Sequence, residues 1–279
     1  MKPPQQLLKT IMQWTKTRED IHAVILIGSY AKKDKTDRLS DIDLCIYVAD
    51  PTAYVNQRDW LSELAPVLLS FSEQEGDHAI VEAIHAGDMM VEYIFMPLSA
   101  LDAMQDALPL HFEPGYQVLV DKDKRARKLP KASGGYPPPK APTPEAFHDT
   151  VQQFWFHAHL VAKYLRRGEL WRAKHYDWQL KQQVLRMMGW HAAQIGRQVS
   201  FTIYEGKHLQ EWVDPATYTA LMAAFGRFYP ADSWRALDET IKLFTRLAKE
   251  LAQTMNISYP QELQEHLTAL IDDLQSNPK

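Results

Sequence analysis

The sequence predicts an α+β fold: an N-terminal domain built on a mixed sheet, followed by a C-terminal α-helical bundle domain. Three observations carry that reading. Short β-rich runs alternate with helical periodicity through residue 121. The stretch Gly134-Gly135-Tyr136-Pro137-Pro138-Pro139-Lys140-Ala141-Pro142 can hold neither a helix nor a central strand. From Thr143 onward the pattern is helical, with few β signals besides Val199 to Ile203. The predicted domains are 1–130 and 145–279, and 131–144 forms a Pro-rich, partly polyproline-like linker between them.

Taken in order, Leu7, Leu8, Ile11, Met12 and Trp14 recur at helical spacing and predict a first amphipathic helix. Ile21 to Ile27 is a continuous run rich in β-branched residues that stops at Gly28, as a buried strand does. Asp41 to Val48 reads as a second strand, and Trp60 to Phe71 as a helix after Pro51. His78 to His85 and Met89 to Met96 flank Ala86-Gly87-Asp88, which predicts a hairpin with a tight turn. Tyr116 to Val120 supplies a further short strand. In the C-terminal half, Thr143 as N-cap and Pro144 at the first helical position predict a helix start. Helices are expected over Pro144 to Arg167, Leu170 to Ile195, Trp234 to Met255 and Pro260 to Leu274. Trp155, Trp171, Trp178 and Trp190 are expected mostly in the core.

Composition narrows the function classes. Hydrophobic residues at 46% and charged residues at 24% match a soluble globular protein. A formal charge of -4 lacks the basic footprint of a nucleic-acid binder and suits a cationic small molecule. The single cysteine, Cys45, excludes an intrachain disulfide and sits in an apolar run, which predicts a buried thiol in a reducing compartment. No apolar stretch reaches the roughly 20 residues of a membrane span, and the N-terminus has no signal-peptide pattern. The expectation is a cytoplasmic protein without membrane or nucleic-acid partners.

The chemistry concentrates in Ile27-Gly28-Ser29-Tyr30 and Ser40-Asp41-Ile42-Asp43-Leu44. Gly28 ends a buried strand where no side chain blocks a ligand from the backbone. Ser29 follows, opening a short helix, so its hydroxyl and nearby amides can meet a phosphate. Asp41 and Asp43 lie two apart on a strand, which sends both carboxylates from one face while Ile42, Leu44, Ile46 and Val48 anchor the other. Two carboxylates this close repel unless a cation joins them. Magnesium fits, since it takes hard oxygen ligands and keeps positions for water and triphosphate oxygens. Two such ions can clamp the attacking and leaving oxygens of an in-line displacement. A bare Asp-x-Asp is more often a pair of solvated aspartates at a strand end; the preceding strand, Gly-Ser and the gap favour the functional reading here.

These segments resemble the signature of the polymerase-β-type nucleotidyltransferases, and more narrowly the aminoglycoside 6-adenylyltransferases, which modify streptomycin. The similarity extends along the chain through Ala23 to Ser29, Met96-Pro97-Leu98, Val118 to Asp123, Phe147 through Trp155, Leu185 to Trp190 and Glu205-Gly206-Lys207. The resemblance implies a nucleotidyltransferase catalytic domain at 1–130 and a helical substrate- and nucleotide-binding domain at 145–279. It implies ATP as co-substrate with Mg2+, nucleotide-binding roles for Gly28, Ser29, Ser40 and Lys207, and a cationic, hydroxylated acceptor. It also implies a third acid beside Asp41 and Asp43, and Glu92 in Met90-Val91-Glu92-Tyr93-Ile94-Phe95 stands where that family mostly carries aspartate. As a lone charge in an apolar strand, Glu92 either faces a site or faces solvent; at a site it binds metal, acts as general base, or does both.

Other candidates carry less. Lys207 suits triphosphate oxygens or a solvated loop, and Arg166 and Arg167 suit a helix C-terminus whatever the function. Asp177, in His175-Tyr176-Asp177-Trp178, reads either as part of an aromatic sandwich for a sugar or cation or as a helix-surface aspartate among core aromatics. Alternatives to an aminoglycoside acceptor are another small metabolite, a protein side chain, or a non-catalytic nucleotide-binding regulator of the same fold. Polynucleotide extension is disfavoured by the charge balance.

Overall fold

The computed structural model describes residues 4–32, 36–37, 39–137, 139–197, 199 and 206–276. They form two compact units, Met1–Tyr136 and Pro137–Lys279.

The first unit is a six-stranded mixed sheet. Its strands are β1 (Ile21–Ile27), β2 (Ile42–Val48), β3 (Val67–Glu75), β4 (His78–His85), β5 (Met89–Pro97) and β6 (Gln117–Asp121). They are ordered β3-β4-β5-β2-β1-β6. β2 and β5 run parallel, whereas the pairings of β1 with β2 and β6, and of β4 with β3 and β5, are antiparallel. Among the described residues the α-helices that accompany the sheet are α1 (Pro4–Thr17), α2 (Gly28–Lys32), α3 (Ala53–Asn56), α4 (Trp60–Leu64) and α5 (Leu98–Ala103).

The alternation of side chains along β1 and β2 divides the core into two layers. On one face Val24, Leu26, Ile42, Leu44, Ile46 and Val48 pack with Leu7, Ile11 and Trp14 of α1 and with Trp60 and Leu64 of α4. Trp14 stacks on Trp60 at 5.2 Å between centroids, and Tyr54 of α3 stacks on Phe95 at 4.3 Å. On the other face Ala23, Ile25, Ile27, Cys45, Tyr47 and Met96 meet Leu101 of α5, Met104 and Phe112. The anchoring role read for Ile42, Leu44, Ile46 and Val48 is therefore observed, and Cys45 is fully buried.

One predicted element is wrong. The helix expected over Trp60 to Phe71 stops at Leu64, and the chain re-enters the sheet as the edge strand β3. Pro66 cannot continue the helix, and the alternation of Leu69, Phe71 and Glu73 with Ser70 and Ser72 then fits a strand.

The second unit contains α6 (Pro144–Arg166), α7 (Leu170–Gln194), α8 (Leu209–Trp212), α9 (Pro215–Ala224), α10 (Pro230–Met255) and α11 (Gln261–Ser276). Thr143 caps α6 as expected, its hydroxyl accepting from the amide of Ala146 at 3.2 Å, with Pro144 in the first turn. The α6–α10 seam is centred on Phe154 and Phe244, stacked at 3.6 Å. Trp155 is buried in this core, but Trp171 and Trp178 are 80% and 55% exposed, which corrects the expectation of core tryptophans. Both stand on the outer stripe of α7, where helical spacing places side chains whether or not anything packs on them. In the predicted β segment, residues 200–203 lie outside the described residues, and Val199 is buried without belonging to a strand. No helix among the described residues is long and apolar enough to cross a membrane.

Candidate active site

β1 ends by handing the chain directly to α2, and the hinge is Gly28. Ile27 lies opposite Asp43 in the β1–β2 ladder, so the next residue comes down over the Asp43 side chain. Gly28 has a φ of +69°, and a Cβ added there would sit 1.9 Å from Oδ2 of Asp43. Only glycine satisfies both the backbone sign and the clearance. Ser29 is then the second residue of α2, as the sequence reading required.

Across the sheet, β2 lies parallel to β5 with Asp43 in register with Glu92. The two carboxylates therefore leave one face from neighbouring strands, which are spaced about 4.8 Å apart. Both residues are half-buried. Burial first, then the charges of Glu82 and Asp41, push the Glu92 carboxyl above the usual carboxylate range. Asp41 stands one residue outside β2 rather than on it, and is exposed, which corrects the strand assignment. Its charge still reaches Glu92, and together with Asp37 it adds to the burial that raises the Tyr30 phenol.

Ser40 serves the turn before Asp41. Its hydroxyl accepts from the Asp37 amide at 2.9 Å and donates to Asp37 Oδ1 at 3.1 Å, while the Leu39 amide donates to the same oxygen at 2.9 Å. The structure thus gives Ser40 a role in fixing how Asp41 enters the strand.

The sheet also presents a fourth acid that the sequence reading missed. Glu82 on β4 faces Glu92 directly in the β4–β5 ladder, and beyond it Phe71 on β3 faces Glu82. Asp43, Glu92, Glu82 and Phe71 thus form one row across four strands. The signal was available: Glu82 and Glu92 are each five residues from Gly87, the centre of the hairpin turn, so a symmetric hairpin must pair them.

Lys207 belongs to the second unit. It is exposed, follows Gly206 with φ +81°, and its carbonyl accepts from Trp212 Nε1 at 3.2 Å; Glu205 before it is outside the described residues. Asp177 is engaged locally, its Oδ1 accepting at 2.6 Å from Lys181, a lysine only 4% exposed that also donates to Thr240. That pairing offsets a buried charge.

Among the described residues no three His, Cys, Asp or Glu side chains converge as a complete metal-holding cluster. The donor chemistry nonetheless fits a hard divalent cation, because Asp41, Asp43 and Glu92 offer only carboxylate oxygens.

The streptomycin adenylyltransferase family model matches residues 1–274. The chain belongs to that family. The chain is similar to the aminoglycoside 6-adenylyltransferases of Staphylococcus aureus, 24% identical, and of Bacillus subtilis (strain 168), 21% identical. Each match covers 93% of this chain and 94% of the relative. A crystal structure of an aminoglycoside 6-adenyltransferase from Bacillus subtilis aligns over 99% of this chain and 100% of that one, with 18% identity and a TM-score of 0.46. As a member of the streptomycin adenylyltransferase family, the protein is an enzyme of the nucleotidyltransferase class.

Proposed function

We propose that this enzyme transfers AMP from ATP to a hydroxyl of a cationic aminoglycoside of the streptomycin type, releasing pyrophosphate. The observation that carries the reading is the bare Cα of Gly28 against the Asp43 carboxylate, with Asp43 in register with Glu92. It supports a place where phosphate oxygens meet backbone and acids at once. The names of the relatives, aminoglycoside 6-adenylyltransferases, support the acceptor class.

In this reading the triphosphate lies over Gly28 and Ser29, where no side chain at position 28 stands between ligand and backbone. Mg2+, held by Asp41, Asp43 and Glu92, would supply neutralisation of the triphosphate and pyrophosphate charge. Glu92 accepts the proton of the attacking hydroxyl as general base. The acceptor oxygen bonds to the α-phosphorus as the bond to the β-phosphate oxygen breaks, and pyrophosphate carries away the electron pair. The protein's part is positioning and charge compensation.

The test is pyrophosphate release with ATP and magnesium across acceptors led by streptomycin, alongside Asp43→Asn. Release that requires an aminoglycoside and falls at least ~1,000-fold in the variant is expected. Turnover surviving in Asp43→Asn with the fold intact removes the metal assignment. Silence with every aminoglycoside, despite ATP binding, transfers the acceptor to another small metabolite or a protein side chain.

A further inference from the structure

The sheet has two edges, and the sequence treats them differently. β6 is five residues long and runs on into Lys122-Asp123-Lys124, a charged continuation that suits an edge facing water. β3 is nine residues long and contains neither lysine nor proline. Large apolar side chains lie exposed on it: Leu68 at 69%, Leu69 at 55% and Phe71 at 46%. Its one irregularity of register lies between Val67 and Leu69, and from Leu69 to Glu75 the ladder with β4 is regular. A long, regular, apolar edge is a template for a further strand.

The direction of its backbone groups follows from Arg58. Nη1 of Arg58 donates to the Ser70 carbonyl at 3.2 Å and to the Ser70 hydroxyl at 3.4 Å. That carbonyl therefore points out of the sheet, away from β4. Antiparallel pairing alternates along a strand, so the groups of Ser72 and Gln74 also point outward, while those of Phe71 and Glu73 turn to β4. The edge is electrically divided as well. Arg58 stands at its apolar first half, and the exposed Glu73 and Glu75 occupy its second half. An antiparallel copy of the same strand lays the cation of each against the acids of the other.

We propose that β3 is a self-association edge, at which two copies of this chain pair their β3 strands antiparallel about a two-fold axis through Phe71. In that register Ser70 and Ser72 exchange hydrogen bonds with Ser72 and Ser70 of the second copy. The Ser70 carbonyl keeps a second lone pair for this bond beside Arg58. Phe71 faces Phe71 at a non-hydrogen-bonded position, where Cα atoms approach to about 4.5 Å. Leu69 faces the aliphatic stem of Glu73, and no two glutamates stand opposite each other. The two-fold keeps the same face of both sheets on one side, so the row Asp43, Glu92, Glu82, Phe71 continues into that of the second copy. One strand edge with few apolar side chains buries less than the roughly 1,200 Å² at the lower end of stable interfaces, so the dimer exchanges with monomer in the micromolar range.

Sedimentation velocity across the micromolar range tests this. The wild type is expected to move from the 32.2 kDa monomer toward twice that mass as concentration rises. Ser72→Pro removes an outward amide and no bond to β4, and is expected to weaken association at least ~10-fold. Arg58→Glu sets acid against Glu73 and Glu75 and is expected to weaken it several-fold. Phe71→Cys is expected to give a disulfide-linked dimer under mild oxidation, since the facing Cα atoms lie within disulfide reach and Cys45 is buried. Circular dichroism checks the fold of each variant, and Arg58→Glu with Phe71→Cys decides the matter if Ser72→Pro does not fold. A wild type that stays monomeric throughout overturns the proposal. So does a dimer that Ser72→Pro and Arg58→Glu leave unchanged, which moves self-association to another face. A dimer that Phe71→Cys fails to link overturns the register through Phe71.

Discussion

At position 28 backbone sign and side-chain clearance point the same way. Gly28→Ala would put a methyl carbon 1.9 Å from Asp43 Oδ2 at a φ of +69°. The backbone strain alone costs about 1 kcal/mol, a modest loss, but relief of the clash must move the carboxylate away from the position Glu92 faces. Activity is therefore expected to fall at least ~100-fold, as for displaced catalytic groups, with a melting temperature lowered by only a few degrees. Circular dichroism and pyrophosphate release on the same sample check this, and an active Gly28→Ala enzyme would remove Gly28 from the site. The glycine was legible in the sequence because it ends a β-branched run, but its reason was not. The contact with Asp43 comes from antiparallel pairing of β1 and β2 across an intervening loop, and no local pattern encodes that register. Asp41 illustrates the opposite limit: strand propensity runs smoothly from Asp41 to Val48, while the Asp37–Ser40 turn decides that the strand begins at Ile42.

Elements with a long, uniform pattern were read correctly, and those whose identity depends on a single breaker were not. α6 carries its own start signal in Thr143-Pro144, and Thr143→Ala is expected to cost about 1 kcal/mol through the lost cap, measured by urea denaturation. Trp60 to Phe71 carries an apolar run compatible with either helix or strand, and Pro66 settles it only once β4 offers an edge to pair with. The central hairpin adds a pH-dependent term. His85, fully buried on β4, lies near the Ala65 carbonyl at 3.3 Å and the Tyr93 hydroxyl at 2.9 Å, and burial lowers its pKa. A histidine with a lowered folded pKa binds its proton more readily in the unfolded chain. Its contribution is therefore intact above the unfolded value of about 6.5 and is lost as pH falls below it toward the folded value. Urea midpoints are expected to drop between pH 7 and pH 5.5, and to drop less in His85→Gln; equal drops would assign the effect to other groups.

Over the whole molecule, the core residues of the sheet unit and those of the helical unit belong to separate clusters, and the proposed chemistry draws on the charge pattern of the sheet unit. A formal charge of -4 spread over 279 residues is too small to steer a ligand by itself. Asp43, Glu92 and Glu82 concentrate negative charge on one face of the sheet, and on the proposed function a multiply cationic acceptor would feel that local field. Exposed charges separated by more than about 10 Å are screened at 0.1 M salt, so the exposed Asp41 should lose its hold before the half-buried Asp43 and Glu92 do. Raising KCl from about 0.05 to 0.5 M shortens the screening length roughly threefold. The expected result is a streptomycin KM that climbs several-fold across this range with kcat nearly constant. A wild-type KM indifferent to salt would mean that the acceptor is recognised through its rings and hydroxyls, with the acids left to the nucleotide alone.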